Sequence, residues 1–120
     1  MDNKKILVVD DDALSLKIIA EVLGSTEYDV TVCQDAVEAM YRLKKSCYSA
    51  VITDLNMPHE NGLSFAKKIK EHAPDMTVVM VTASALNDIE EKQNLINDYV
   101  DEILHKPFSK ESLLSSLKRA

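Results

Sequence analysis

The chain has 120 residues, 46% of them hydrophobic, with two Gly and three Pro; this is enough for one packed domain and argues against long disorder. Fourteen Lys and Arg against 20 Asp and Glu leave a net charge of −6, and no basic stripe marks a surface for nucleic acid. No apolar run approaches the ~20 residues of a membrane span, and the opening MDNKK lacks the apolar stretch and small-residue cleavage site of a secretory signal, so a soluble, cytoplasmic protein is expected.

Short apolar runs alternate with amphipathic segments. Ile6 to Val9 reads as the first strand. Leu14, Ile18 and Val22 then recur every four residues and share one face of a helix, and Gly24 is a candidate C-terminal cap. Val30 to Cys33 is a weaker strand. Asp35 and Glu38 have the spacing of a capping box before a helix lined by Ala36, Ala39, Met40 and Leu43. Cys33 and Cys47 are the only cysteines; they form no metal-ligand spacing and no disulfide framework, and read as reduced thiols.

Ala50 to Ile52 is the third strand. Phe65, Ala66 and Ile69 mark a helix that stops before Pro74, and Val78 to Val81 is the fourth strand. Asn87 with Glu90 predicts a cap opening a mostly polar helix. Ile103 to Leu104 is the last strand, and Ser109 caps a final helix that turns Leu113, Leu114 and Leu117 inward. Five strand–helix repeats over residues 1–120 give a single α/β domain with a parallel sheet. Three of the strand runs are continuously apolar, as in parallel strands covered on both faces. Sites in such sheets form beyond the carboxyl ends of the strands.

The residues at those ends are polar in an unusual combination. Strand one ends in Asp10, Asp11 and Asp12; strand three in Thr53 and Asp54; strand four in Thr82; strand five in Lys106 and Pro107. If strands one and three are neighbours, up to three carboxylates converge. Two like charges ~4 Å apart repel by about 4 kcal/mol at an effective dielectric of 20, a repulsion that a protonated acid or a bound cation relieves. All-oxygen ligands suit a hard cation such as Mg²⁺, which takes one or two carboxylates together with phosphate oxygens. Lys106 adds a compact positive charge suited to phosphate, and Thr82 a hydroxyl donor. The set reads as an Mg²⁺-assisted phosphoryl site with a carboxylate nucleophile. Individually the residues have plainer readings. Asp12 reads as a helix N-cap, and Asp54 alone could be a solvated loop residue. His59 and His105 read as solvated side chains before anything more specific.

With these residues in place, the chain resembles the response-regulator receiver family. The matching pieces are Ile6-Leu7-Val8-Val9-Asp10-Asp11-Asp12, then Val51-Ile52-Thr53-Asp54-Leu55-Asn56-Met57-Pro58 with Gly62, then Val81-Thr82-Ala83, then Lys106-Pro107-Phe108. The resemblance implies a flavodoxin-like, doubly wound five-stranded sheet of order 2-1-3-4-5 with five helices. It implies that Asp54 takes a phosphoryl group from a phosphohistidine on a sensor histidine kinase or histidine phosphotransfer domain. Asp10, Asp11, Asp54 and the backbone carbonyl of Asn56 would hold Mg²⁺. Lys106 would pair with Asp54 or the phosphoryl oxygens, Thr82 would swing to the phosphoryl group, and Pro107 would follow a cis peptide bond. Such a domain is a signalling module that controls an output partner or domain and dephosphorylates itself slowly, rather than a conventional enzyme.

Two positions depart from the family pattern. Ile103 stands where receivers carry the Tyr or Phe of the switch, and Tyr99-Val100 where a Gly-Ala pair is common. The phosphorylation chemistry does not involve them; the readout through the fourth helix, fifth strand and fifth helix does. Three other functions fit less well. A haloacid-dehalogenase-type phosphatase would use Asp10 as nucleophile and Asp12 as acid, but Ala13 and Leu14 stand where a Thr is needed. An FMN carrier would need a Ser/Thr/Gly phosphate loop where three acids lie. A structural pseudo-receiver would not need the complete acceptor set.

Overall fold

The structure is a computed structural model and describes residues 4–55, 57, 62–83 and 93–119. Five strands and, among the described residues, five helices alternate along the chain: β1 (Lys5–Val9), α1 (Ala13–Gly24), β2 (Asp29–Cys33), α2 (Ala36–Lys45), β3 (Ala50–Asp54), α3 (Gly62–His72), β4 (Thr77–Thr82), α4 (Gln93–Tyr99), β5 (Glu102–His105) and α5 (Lys110–Arg119). The sheet is wholly parallel, in the order β2-β1-β3-β4-β5. This is the expected doubly wound order, with its reversal at β1 and β3.

Alternation along each strand builds the core in two layers. Ile6 and Val8 of β1 join Ile52, Val79 and Val81 in a cluster closed by Leu16, Ile19 and Leu23 of α1 and Leu113 and Leu117 of α5. Leu7 and Val9 point the other way, into a cluster with Phe65, Ala66 and Ile69 of α3 and Ala36, Ala39 and Leu43 of α2. A third group, Leu55, Leu63, Met80 and Ile96, lies between the ends of β3 and β4 and helices α3 and α4. Both faces of the sheet are covered, which is why β1, β3 and β4 read as unbroken apolar runs.

The caps are local and specific. Asp35 accepts from Glu38 N at 2.8 Å, and Ser109 Oγ accepts from Ser112 N at 3.0 Å. Asp12 caps α1 by accepting from Leu14 N at 3.0 Å. Gly24 differs from the expectation: it is the last helical residue and Ser25 is the cap. The apolar face expected for α1 is also corrected. Leu14 and Ile18 are 63% and 47% exposed, while Leu16, Ile19 and Leu23 are buried. Helix α1 is apolar around most of its circumference, so two stripes compete in the sequence and only packing selects one. Asn87 and Glu90, expected to open the fourth helix, lie outside the described residues.

Candidate functional site

The strand order brings the polar strand ends together. β1 and β3 are neighbours, with Val9 paired to Thr53, so Asp10 and Asp11 follow one strand beside Asp54 on the other. Asp10 is 2% and Asp54 9% exposed. One carboxylate oxygen from each of Asp10, Asp11 and Asp54 lies within 4.8 Å of the others. Asp10 is fixed by its backbone and side chain: its N–H donates to Cys33 O at 3.1 Å, and its Oδ1 accepts from Asp12 N at 3.0 Å.

Lys106 enters from the end of β5. Its Nζ donates to Asp10 Oδ2 at 3.2 Å, Ser15 Oγ at 3.2 Å and Asp54 Oδ2 at 3.3 Å. Its backbone N–H donates to Thr82 O at 2.8 Å, tying the end of β5 to the end of β4, and the Lys106–Pro107 bond is cis. Thr82 is fully buried and follows Val81, the β4 partner of Asp54.

The electrostatics follow from burial and proximity. Asp10 is held above the ordinary carboxylate range, by burial first and the Asp54 charge second, against the Asp12 N–H and Lys106. Burial alone would lower the pKa of Lys106, but the Asp10 and Asp54 carboxylates outweigh it and raise it. The ammonium is therefore fixed in its charged form at neutral pH. Three convergent carboxylate oxygens with one ammonium leave a net negative, all-oxygen cradle, the donor chemistry that fits Mg²⁺.

The helix that follows β3 approaches closely. Gly62 N donates to Leu55 O at 2.6 Å, and a Cβ at Gly62 would overlap the carbonyl oxygen of Asp54 and press on Leu55 Cα. Gly62 is needed because the start of α3 lies directly on the strand end that carries Asp54. The sequence showed this glycine as part of a motif without its physical role.

Among the described positions, His105, Ile103 and Tyr99 fall outside the carboxylate cluster. Asn56 and His59 lie outside the described residues. His105 is exposed and pairs in register with Thr82. Ile103 pairs with Met80 and packs against the Leu55–Leu63–Met80–Ile96 group, two residues along the strand from the Thr82 register and on the same face of the sheet. Tyr99 packs into the α2–α3 layer. Ser15 is the site residue that sequence reasoning missed. Its only signal is its place one helical turn after Asp12, a position where serine is unremarkable.

Comparison with known proteins agrees with this geometry. The model of the response regulator receiver domain matches residues 6–118. The sensor histidine kinase RcsC of Salmonella typhi is 35% identical over 116 residues, covering 97% of this chain and 12% of that protein. The response regulator MprA of Mycobacterium sp. (strain KMS) is 30% identical over 95% of this chain and 49% of its own length. Among solved structures, the chemotaxis response regulator CheY4 of Vibrio cholerae superposes with a TM-score of 0.86 at 28% identity, over 98% of each chain. The receiver domain of the sensor histidine kinase PA1611 from Pseudomonas aeruginosa PAO1, solved with a magnesium ion coordinated in its active-site cleft, gives 0.86 at 27% identity over 98% of this chain and 97% of that one.

The fold and the acidic strand ends define a phosphorelay signalling module of the α/β class. The chain belongs to the response regulator receiver domain family of two-component systems. It spans 12% of the RcsC kinases and about half of the MprA regulators that it resembles.

Proposed function

We propose that Asp54 accepts a phosphoryl group from a phosphohistidine on a sensor histidine kinase or histidine phosphotransfer domain. The observation that carries this reading is the placement of Asp54 Oδ2 3.3 Å from Lys106 Nζ, inside a cluster of three carboxylates. A carboxylate oxygen of Asp54 attacks phosphorus, the P–N bond to the donor imidazole breaks, and the leaving imidazole takes up a proton. The product is an aspartyl phosphate. Lys106 donates to a phosphoryl oxygen, and Thr82 donates its hydroxyl to another. Asp10, Asp11, Asp54 and the backbone carbonyl of Asn56 would hold the Mg²⁺. When bound, the ion neutralises charge on the carboxylates and on the transferring group.

The new contacts to Lys106 and Thr82 exist only in the phosphorylated state, so phosphorylation biases a two-state equilibrium. The structural consequence passes from Thr82 to the β4–β5 face, where Ile103 provides an aliphatic contact in place of a ring. Residues 1–120 act as one receiver unit. It works in the cytoplasm, controls a partner protein or output domain, and loses the phosphoryl group slowly by its own hydrolysis rather than turning over a substrate. No helix of the described residues is long and apolar enough to cross a membrane. Treatment with acetyl phosphate and Mg²⁺ should add one phosphoryl group that hydroxylamine removes, as it does from an acyl phosphate. A hydroxylamine-stable adduct contradicts this reading.

A further inference from the structure

We propose that Ser15 is a positioning residue for Lys106, holding its ammonium between Asp10 and Asp54 through a hydroxyl that is itself oriented by Asp12. The functional consequence rests on Asp54 being the phosphoacceptor. The geometry behind it does not.

An ammonium has three protons and no acceptor. That of Lys106 meets three acceptors at nearly equal distances, Asp10 Oδ2 and Ser15 Oγ at 3.2 Å and Asp54 Oδ2 at 3.3 Å. The Ser15 hydroxyl donates its own proton to Asp12 Oδ2 at 3.1 Å, which turns its lone pairs toward Lys106. Asp12 is in turn fixed as the cap of α1, its other oxygen accepting from Leu14 N at 3.0 Å. Orientation thus passes from a helix cap to a hydroxyl to the ammonium.

The two carboxylate partners change when the site works. Asp10 would engage the cation and Asp54 would become an acyl phosphate, whereas the Ser15 hydroxyl is neutral and takes part in neither change. Among the described residues the far side of Lys106 offers no substitute. Lys106 and Ser15 border a cavity of about 360 Å³ whose other described walls are Ile18, Ile19, Val22, Pro107 and Phe108, none with a side-chain acceptor. Without Ser15, the third proton of Lys106 meets no described side-chain acceptor on that side and turns to water, and the ammonium is less confined to the phosphoryl position.

The test compares Ser15→Ala and Ser15→Thr in the wild-type and Lys106→Ala backgrounds. Affinity for beryllofluoride with Mg²⁺ is read from amide shifts, and the Lys106 ammonium nitrogen resonance is read in the free protein. Ser15→Ala should weaken beryllofluoride binding about three- to tenfold, the part of a charge-assisted hydrogen bond that water does not replace. Ser15→Thr should restore it, Ser15→Ala should have no effect once Lys106 is Ala, and the ammonium resonance should move in free Ser15→Ala. An equal loss in both backgrounds would show that Ser15 acts through α1 rather than Lys106. An unmoved resonance with wild-type affinity would overturn the proposal outright. Failure of the wild type to bind beryllofluoride would instead count against Asp54 as acceptor, and the ammonium resonance would still decide the Ser15–Lys106 pair.

Discussion

Lys106 reaches from the end of β5 across the end of β4 to donate to Asp54 Oδ2 at 3.3 Å. The two residues are 52 positions apart in sequence, and the strand order makes them neighbours. Lys106 is at a strand end and belongs to none of the apolar core clusters, so replacing it removes no core side chain. Lys106→Ala should fold and still react with a small phosphodonor. Lys106 already donates to Asp54 in the free protein, so the variant loses only the difference between that bond and the one to the phosphoryl group, and the switching equilibrium should fall by about tenfold. Amide shift changes on adding beryllofluoride should then shrink beyond the site; changes of wild-type extent would rule out the coupling role.

The carboxylate cluster predicts that Mg²⁺ stabilises the fold without any phosphoryl group. Asp10 is buried with its pKa raised, so its charged form is disfavoured in the folded, metal-free protein, and a divalent ion reverses that penalty. A ligand that binds only the folded state at ten times its Kd contributes about 1.4 kcal/mol, several degrees in Tm for a domain of this size. Asp11→Ala removes an exposed member of the cluster and should abolish most of the rise. Equal rises in both proteins would place the ion elsewhere.

Gly62 makes a prediction about packing. A Cβ there would overlap the Asp54 carbonyl oxygen, and backbone on both sides leaves little room to yield. Gly62→Ala should therefore destabilise the domain by about 1–3 kcal/mol, although alanine is the better helix former. Urea unfolding measures this, and a variant as stable as wild type would mean that α3 can shift freely against β3.

Burial, and then the Glu38 charge, pushes the Cys33 thiol up to about 11, while Cys47 is exposed. At pH 8 Cys47 should react rapidly with a disulfide reagent. Cys33 should react far more slowly, because it is buried and little of it is thiolate at that pH, until denaturant exposes it. Its ordinary value is 9.0. Between there and about pH 11 the unfolded chain loses the proton before the folded one, so this thiol's contribution to stability is full below pH 9 and declines as pH rises through that window. Two fast thiols at pH 8 would contradict the burial.

Much of this was legible in the sequence because the relevant signals are local. Val8 and Ile52 belong to short apolar runs, Asp35 and Ser109 cap their helices with their own side chains, Asp10 and Lys106 each follow directly on a strand, and Asp54 ends one. The inward stripe of α1 was not legible, because Leu14 and Ile18 are as apolar as Leu16 and Ile19 and only the sheet beneath selects between them. Ser15 was missed for a related reason. Its importance lies in a contact 91 residues away in sequence, which no local pattern encodes. The physical need for Gly62 likewise appears only when α3 is seen resting on Asp54.

The most direct test of the central claim is intact-mass measurement of wild type and Asp54→Asn after incubation with acetyl phosphate and Mg²⁺. Wild type should gain one phosphoryl group and Asp54→Asn none. An undiminished phosphoprotein peak in Asp54→Asn would mean that another residue is the acceptor.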